Sequence, residues 1–140
     1  MDAELVRSVR LPGRVESVDA VGRELADVWR DAPDVSPTDR TRVETALVEV
    51  VGNVVEHALA GRRGGEVVVQ LRVTGREVVA EVADDGTELT VDPGAATMPG
   101  ADAVSGRGLA MAVAVTDELH YRRDGDTNRW RLRWERGDGS

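Results

Sequence analysis

The sequence has no cysteine among its 140 residues, which excludes disulfides and thiolate metal sites. It has only two histidines, His57 and His120, too few for a zinc site unless carboxylates supply the remaining ligands. Lysine is absent as well, so the strongly basic side chains are all arginines. No lysine is therefore available to bind phosphates as in a P-loop.

Long apolar runs and a basic N-terminal segment are also missing. No stretch approaches the roughly 20 apolar residues that a membrane span requires, and the acidic start, Met1 to Glu4, does not resemble a signal peptide. We therefore expect a cytoplasmic protein that does not bind membranes. The net charge of -8 also argues against direct nucleic-acid binding, because neutralising phosphates requires a positive face.

Hydrophobic periodicity predicts five strands, three helices and one long loop. In chain order these are an edge strand at Glu4–Leu11, helices at Val15–Trp29 and Ser36–Leu59, strands at Glu66–Val73 and Arg76–Ala83, a glycine-bearing loop at Asp84–Gly106, a helix at Leu109–Thr116, and strands at Glu118–Arg123 and Arg129–Trp134. Short glycine-containing turns join the last four strands into two hairpins. We therefore expect one α/β domain over residues 1–140, a two-layer sandwich whose mostly antiparallel sheet is covered by helices on one face.

The last predicted strand alternates two classes of side chain. The apolar set is Trp130, Leu132 and Trp134, and the basic set is Arg129, Arg131 and Arg133. Because successive side chains of a strand point to opposite faces, the apolar set is predicted to be buried and the arginines to face solvent.

A polar line runs along the second predicted helix. Glu49, Asn53 and His57 are spaced i, i+4, i+8, which places them together beside the apolar arc of the helix. Taken singly, each fits an ordinary helix boundary. As a row they favour a binding site, since partly buried polar groups must all find partners. An amide oxygen suits Mg²⁺, and a carboxylate one turn away can accept a proton from an attacking hydroxyl.

Two glycine motifs flank the long loop. Loops longer than about 12–15 residues without regular structure are uncommon in compact domains and are often functional, so the length of this loop indicates a lid. Asp84 ends a buried strand and Gly86 follows, which fits either a simple turn or a carboxylate that accepts the amino group of adenine. Gly106 and Gly108 stand before the helix predicted from Leu109, which fits a hinge, an anion site at a helix N-terminus, or both.

The order and spacing of these motifs resemble the GHKL superfamily of gyrases, histidine kinases and mismatch-repair ATPases. The segment Glu49 to His57 resembles its N box, Asp84-Asp85-Gly86 its first glycine box, and Gly106-Arg107-Gly108 its second. The resemblance covers about Leu5 to Trp134 and implies the Bergerat ATP-binding fold. The small size and the histidine eight residues after the glutamate are similar to the anti-sigma serine kinases of the general-stress and sporulation type.

The resemblance implies a role for each motif residue. Asn53 would coordinate Mg²⁺, and Glu49 would be the catalytic base or orienting residue for the acceptor hydroxyl. The residues implied to bind ATP are Asn53, His57, Asp84, Gly86, Gly106, Arg107, Gly108, Leu109 and Thr127. Among them Asp84 would accept the adenine amino group with support from Thr127, and Gly106, Gly108 and the following N–H groups would hold phosphates.

The same resemblance implies partners. In this family the phosphate acceptor is a serine of a STAS-fold anti-anti-sigma protein, and a sigma factor is sequestered until the unphosphorylated antagonist displaces it. Family members often form homodimers. One departure leaves an alternative open: Glu88 stands where the first glycine box commonly has a second glycine. A non-catalytic partner-binding module with weak or no ATP binding is therefore the alternative to a kinase.

Overall fold

A computed structural model describes residues 4–61, 64–89 and 103–137, with the backbone alone described for residues 103–107. Its elements, in chain order, are β1 (Leu5–Pro12), α1 (Glu16–Asp31), α2 (Pro37–Asn53), a π-helical turn (Val54–Ala58), β2 (Glu66–Val73), β3 (Glu77–Asp84), α3 (Ala103–Ala114), β4 (Glu118–Asp124) and β5 (Thr127–Glu135). Most of the predicted lid, residues 90–102, lies outside the described residues.

The five strands form one sheet in the order β1-β2-β3-β5-β4, and every neighbouring pair is antiparallel. β1 lies at an edge, as predicted, and both predicted hairpins are present. α2 packs between α1 and α3 on one face of the sheet. The predicted two-layer α/β sandwich is confirmed. Within the described residues no helix is both long and apolar enough to cross a membrane.

The core lies between the inner face of the sheet and α2. On β5 the side chains of Trp130, Leu132 and Trp134 are at most 1% exposed, while the arginines between them face outward. The three apolar side chains pack with the valines of α2 and of the central strands. The predicted alternation on this strand is confirmed. Full burial of each large apolar side chain stabilises the fold by roughly 1.5–3 kcal/mol.

The start of α2 agrees with the helix start predicted at Ser36, and the structure shows how this end is capped. Ser36 is extended, its hydroxyl accepts a hydrogen bond from the backbone N–H of Asp39 at 3.1 Å, and Pro37 occupies the first turn. Proline suits that position because its missing N–H would have no partner inside the helix. Such a cap contributes about 1 kcal/mol to stability.

The end of α2 differs from the prediction of a regular helix to Leu59. After Asn53 the backbone widens into the π-helical turn, closed by a bond from the Leu59 N–H to the Val54 carbonyl at 2.9 Å. The carbonyl of Ala58, the last residue of this turn, accepts the N–H of Thr87 at 2.8 Å. The widened turn therefore joins the helix to the loop after β3, a long-range contact that helical periodicity does not reveal. Turns of this kind often occur at functional sites.

The start of α3 also differs from the prediction. The helix begins at Ala103 rather than Leu109, so Gly106 and Gly108 lie inside it and do not precede it. The prediction that both glycines sit before the helix is therefore wrong. Glycine lowers helix propensity by about 1 kcal/mol relative to alanine, which is why the pattern suggested a later start. Packing of the buried Leu109 and Ala112 against the core stabilises the helix instead.

Candidate functional site

Asp84 lies at the centre of the candidate site, at the last residue of β3. Its side chain is buried, with 4% of the residue exposed. The Oδ1 atom accepts two hydrogen bonds, from the Gly86 N–H at 2.8 Å and from Asn128 Nδ2 at 2.9 Å. Among the described residues no group donates to Oδ2, although that atom is also buried. A buried carboxylate oxygen without a partner is unfavourable by about 1–3 kcal/mol, so this atom is suited to a donor from a ligand.

The surroundings of Asp84 make its charged form less favourable than it is in the unfolded chain. Burial raises the pKa of this carboxyl above its ordinary value, and the neighbouring Asp85 adds to the rise. The hydrogen bonds from Asn128 and Gly86 and the positive charge of Arg123 oppose it without cancelling it. Perturbed carboxyls of this kind are concentrated at functional sites.

Gly86 is required by packing at this position. A Cβ atom there would collide with the carbonyl group of Ala58 and come within 2.8 Å of Asp84 Oδ1. No other residue lacks a Cβ, so only glycine lets the loop after β3 lie directly on the π-helical turn. The loop and the end of α2 are thereby held together, which brings the Asp-x-Gly motif to the same side of the domain as the N-box helix.

Asn128 supports Asp84 in the place where Thr127 was expected. The two residues are adjacent on β5, so their side chains point to opposite faces of the sheet. Asn128 is fully buried and pairs directly with Asp84 across the β3–β5 ladder, whereas Thr127 lies on the arginine face. The sequence contained the signal, because counting back by two from Trp130 reaches Asn128.

Two further residues of the β4–β5 hairpin complete this network. The Tyr121 hydroxyl donates to Asn128 Oδ1 and accepts the N–H of Leu89 at 3.0 Å. Arg123 Nη1 donates to the same Asn128 oxygen at 3.1 Å and to the Gly86 carbonyl at 2.7 Å. Sequence reasoning missed both residues, since only the tertiary fold brings them to the loop after β3.

Along α2 the predicted polar row is only partly continuous. Glu49 is half-buried and Asn53, the last residue of the helix, is 4% exposed. His57 lies in the π-helical turn, with Nε2 3.8 Å from the carboxylate of Glu56 and 27% of its side chain exposed. The i, i+4, i+8 line assumed a regular α-helix throughout, whereas His57 lies in a turn with a different number of residues per turn.

Glu49 lies directly against α3. A Cβ at Gly108 would collide with Glu49 Oε2, so the absence of a side chain at this position allows the carboxylate to sit on the helix. Gly108 and the buried Leu109 lie beyond the first turn of α3, where backbone N–H groups are bonded within the helix. Gly106 and Arg107 belong to the same helix, and the side chain of Arg107 lies outside the described residues.

The donor set of the described residues is compatible with a hydrated magnesium ion. No group of three or more His, Cys, Asp or Glu side chains that could hold a metal occurs in the described part of the chain. Mg²⁺ commonly takes one or two protein oxygens and fills its remaining positions with water and phosphate. The buried amide of Asn53 is a hard oxygen donor of the required kind.

The family description that matches the chain is the histidine kinase-like ATPase domain, over residues 11–134. The chain belongs to this family. The match includes the N-box helix, both glycine boxes and the β4–β5 hairpin, so the resemblance to the GHKL superfamily is confirmed. As a histidine kinase-like ATPase domain the chain is of an ATP-binding, kinase-like type. A search of curated protein sequences gave no match.

Solved structures of this family share the fold. The RsbU and RsbW domains of Rv1364c from Mycobacterium tuberculosis are similar, with a TM-score of 0.68 at 22% identity; the match covers 92% of this chain and 32% of that one. The histidine kinase domain of a blue-light activated kinase from Erythrobacter litoralis gives 0.52 at 19% identity, over 92% of this chain and 63% of that one. The Acinetobacter baumannii histidine kinase AdeS gives 0.52 at 11% identity, over 94% and 68%. This chain thus spans about a third of the first of these structures.

Proposed function

We propose that this histidine kinase-like ATPase domain is an ATP-dependent protein-serine kinase that acts as an anti-sigma factor. The observation that carries the proposal is the buried Asp84 Oδ2, at the motif position that binds adenine in the superfamily. No residue that the structure describes donates a hydrogen bond to this carboxylate oxygen. A purely structural aspartate at this place would find a second donor inside the protein, because buried polar groups are nearly always paired.

The nucleotide would be held by residues from three elements. Asp84 would accept the adenine amino group, and Gly86, which lets the loop after β3 lie on the Ala58 carbonyl, would leave room for the base. Asn53 would supply the protein oxygen to Mg²⁺, and α3 would provide donors for the phosphates. When Mg-ATP is bound, ATP would supply the phosphoryl group, and Mg²⁺ would neutralise part of the negative charge on the phosphates.

The phosphate contacts require a local change in α3. Since Gly108 lies inside the helix, its N–H becomes available only if the first turns of α3 unwind. Two glycines within three residues make that unwinding easy, at about 1 kcal/mol less helix propensity each than alanine. The second glycine box would therefore act as a segment that exchanges helical hydrogen bonds for phosphate contacts.

Glu49 is proposed as the catalytic base. It is a half-buried carboxylate one turn before Asn53, so it lies close to the proposed metal ligand on the same helix. It would accept the proton of a serine hydroxyl while the serine oxygen forms a bond to the γ-phosphorus and the bond from that phosphorus to ADP breaks. A general base of this type contributes about 10²- to 10⁴-fold to the rate.

The proposed partners are a STAS-fold anti-anti-sigma protein, which carries the acceptor serine, and a sigma factor. The fold likeness to the RsbW domain of the mycobacterial protein supports this branch of the family over sensor histidine kinases. We further propose that the protein acts in the cytoplasm and forms a homodimer, as its family relatives often do.

A phosphorylation assay tests the kinase proposal. The protein is incubated with Mg²⁺ and ATP labelled in the γ-phosphate, together with STAS proteins encoded in the same genome. We expect label on one serine of one STAS protein, and a loss of 10²- to 10⁴-fold in Glu49→Gln with ATP affinity retained. Glu44→Gln, a carboxylate change on the same helix, is the matched control and should keep wild-type activity. Tight ATP binding without label on any STAS protein would contradict the proposal.

A non-catalytic partner-binding module is the second candidate. Two observations favour it: Glu88 replaces a glycine at the base of the lid, and the Gly108 N–H lies within α3. Glu88 is exposed, however, so its side chain is not buried beside Asp84. Capture of a sigma factor that is unaffected by ATP and by Glu49→Gln would support this second candidate.

A further inference from the structure

We propose that Asn128 is a positioning residue that sets base selectivity at the nucleotide site. Its amide N–H donates a hydrogen bond to Asp84 Oδ1, which leaves Oδ2 to accept a hydrogen bond from an amino group on the base. The proposal rests on the proposed function, in that it assumes that the site binds a purine nucleotide. It predicts a preference for 6-amino over 6-keto purines that depends on a residue outside the recognised motifs.

The Asn128 side chain has all of its hydrogen-bonding capacity filled. Its Nδ2 donates to Asp84 Oδ1 and to the Thr87 carbonyl, each at 2.9 Å. Its Oδ1 accepts from the Tyr121 hydroxyl and from Arg123 Nη1. An amide has two N–H donors and two acceptor lone pairs, so this fully buried group is completely satisfied. Fully satisfied buried networks are rigid.

The contacts also fix which way the amide points. If the amide were flipped, its NH₂ group would face the guanidinium of Arg123, which can donate hydrogen bonds but cannot accept them. Its oxygen would then face the Thr87 carbonyl and the Asp84 carboxylate, which are both acceptors. The observed orientation is therefore strongly preferred, and an N–H group is always presented to Asp84.

This orientation determines what Asp84 can recognise. With Asn128 and Gly86 both donating to Oδ1, the carboxylate cannot rotate without losing two hydrogen bonds. Among the described residues nothing donates to Oδ2, so this single, fixed oxygen is the acceptor offered to a ligand. An exocyclic amino group is a donor and satisfies it, whereas a keto oxygen at the same position is an acceptor and is repelled. A site discriminates strongly against an analogue that leaves a buried polar group of the site without a hydrogen bond.

Tyr121 holds the network from the far side. Its ring packs on Trp130, with the ring centroids 4.9 Å apart, and its hydroxyl bridges Asn128 to the backbone of Leu89. Tyr121→Phe keeps the ring packing and removes only the hydroxyl. This substitution therefore loosens Asn128 without deleting it, and offers a second variant in case the substitution of Asn128 itself prevents folding.

The test compares the affinities of ATP and inosine triphosphate, which carries a keto group in place of the 6-amino group. Both are titrated by calorimetry into the wild type, Asn128→Leu, Tyr121→Phe and Arg129→Gln. We expect the ratio of the ATP affinity to the inosine triphosphate affinity to fall on the order of tenfold in Asn128→Leu, and less in Tyr121→Phe. Without the Asn128 hydrogen bond the Asp84 carboxylate rotates and binds a proton more readily. Arg129→Gln changes the next residue of the strand, on its outer face, and should leave the ratio unchanged.

A pH profile separates positioning from general damage to the fold. Adenine binding to Asp84 requires the ionised carboxylate, so ATP affinity should fall as the pH is lowered through the pKa of Asp84. Asn128 lowers that pKa by its hydrogen bond, Arg123 lowers it by charge, and Asp85 raises it. Asn128→Leu should therefore move the midpoint of the profile to higher pH, which a merely structural defect would not do.

The outcomes distinguish the inference from the proposed function. If the wild type binds ATP but Asn128→Leu and Tyr121→Phe keep the wild-type ratio and the wild-type pH midpoint, the role of Asn128 is refuted while the nucleotide site stands. If the folded wild type binds neither nucleotide, the proposed function fails, and the inference fails with it.

Discussion

At the scale of single residues, Asp84 combines the binding role proposed for it with a cost to stability. Its burial raises the pKa, so the folded protein favours the protonated form more than the unfolded chain does. A group of this kind stabilises the fold below its unfolded pKa, and that stabilisation is lost as the pH rises through the folded pKa. At neutral pH the ionised Asp84 is therefore a local weakness of the fold, as expected of the ligand-binding residue that we propose it to be.

Asp84→Asn tests this account of the residue. The amide keeps an oxygen for the Gly86 and Asn128 donors and carries no charge to desolvate. We expect the free energy of unfolding at pH 7 to rise by roughly 0.5–2 kcal/mol, as in other stabilising substitutions at functional sites, with the gain shrinking below pH 4 or so. Urea denaturation at several pH values measures it. A less stable variant at pH 7 would contradict the assignment.

The motif residues could be predicted from the sequence because each lies at a recognisable boundary: Asp84 at the end of a strand, Asn53 in an amphipathic helix. Asn128, Tyr121 and Arg123 could not be predicted in the same way. Their contacts with the loop after β3 arise from the antiparallel register of β3 with β5, which pairs Asp84 with Asn128. Strand alternation shows that Asn128 is buried, but not what it faces.

At the scale of elements, Gly108 is the point at which α3 comes closest to the Glu49 carboxylate of α2. Gly108 lets α3 rest on the Glu49 carboxylate, where a Cβ would collide with Oε2. The same helix shows where sequence prediction failed. Ser36 and Pro37 marked the start of α2 by their capping chemistry, whereas the start of α3 lacked such a signal and its glycines pointed to the wrong residue.

Gly108→Ala should gain clearly less stability than helix propensity alone would give, because the Glu49 carboxylate has to move away from the new Cβ. Gly22→Ala in α1 is the matched control, since a Cβ there meets only Glu44 Oε2, at an ordinary 3.7 Å. The control should gain about 0.5–1 kcal/mol. Urea denaturation measures both, and an equal gain in both variants would show that α3 does not rest on Glu49.

At the scale of the whole molecule, Arg42 connects elements that are far apart in the chain. Its guanidinium bonds the Asp39 and Asp117 carboxylates, each at 3.0 Å, and the carbonyls of Val115 and Glu135, each at 3.2 Å. It thereby joins the start of α2 to the end of α3 and to the end of the sheet. The sequence shows Arg42 as one more polar residue on a helix, so this connection could not be predicted from it.

Arg42→Ala should lower the free energy of unfolding by about 2–4 kcal/mol, because it leaves the buried Asp39 without its ion pair. Arg30→Ala, which breaks an exposed pair with Asp27 in α1, is the control and should change stability by less than about 0.5 kcal/mol. Thermal and urea denaturation of both variants provide the comparison. Equal effects would show that the Arg42 contacts contribute nothing beyond an ordinary surface pair.

The same network predicts sensitivity to acid. Burial acts to raise the pKa of Asp117, but the Glu135 N–H and Arg42 outweigh it and hold that pKa below the ordinary value. A lowered pKa gives stability that is present above the unfolded value and lost as the pH falls through the folded one. We expect the urea concentration at the midpoint of unfolding to decrease when the pH is lowered below about 4, and this decrease to be smaller in Asp117→Asn. An unchanged acid profile in that variant would contradict this role.

The most direct test of the account is a calorimetric titration of the folded protein with ATP, with and without Mg²⁺, alongside Asp84→Asn and Asn53→Ala. The account predicts saturable binding that is strengthened by Mg²⁺, is weakened at least tenfold in Asp84→Asn, and loses its dependence on Mg²⁺ in Asn53→Ala. The absence of binding heat at millimolar ATP, or binding that neither substitution affects, would contradict the assignment of this site.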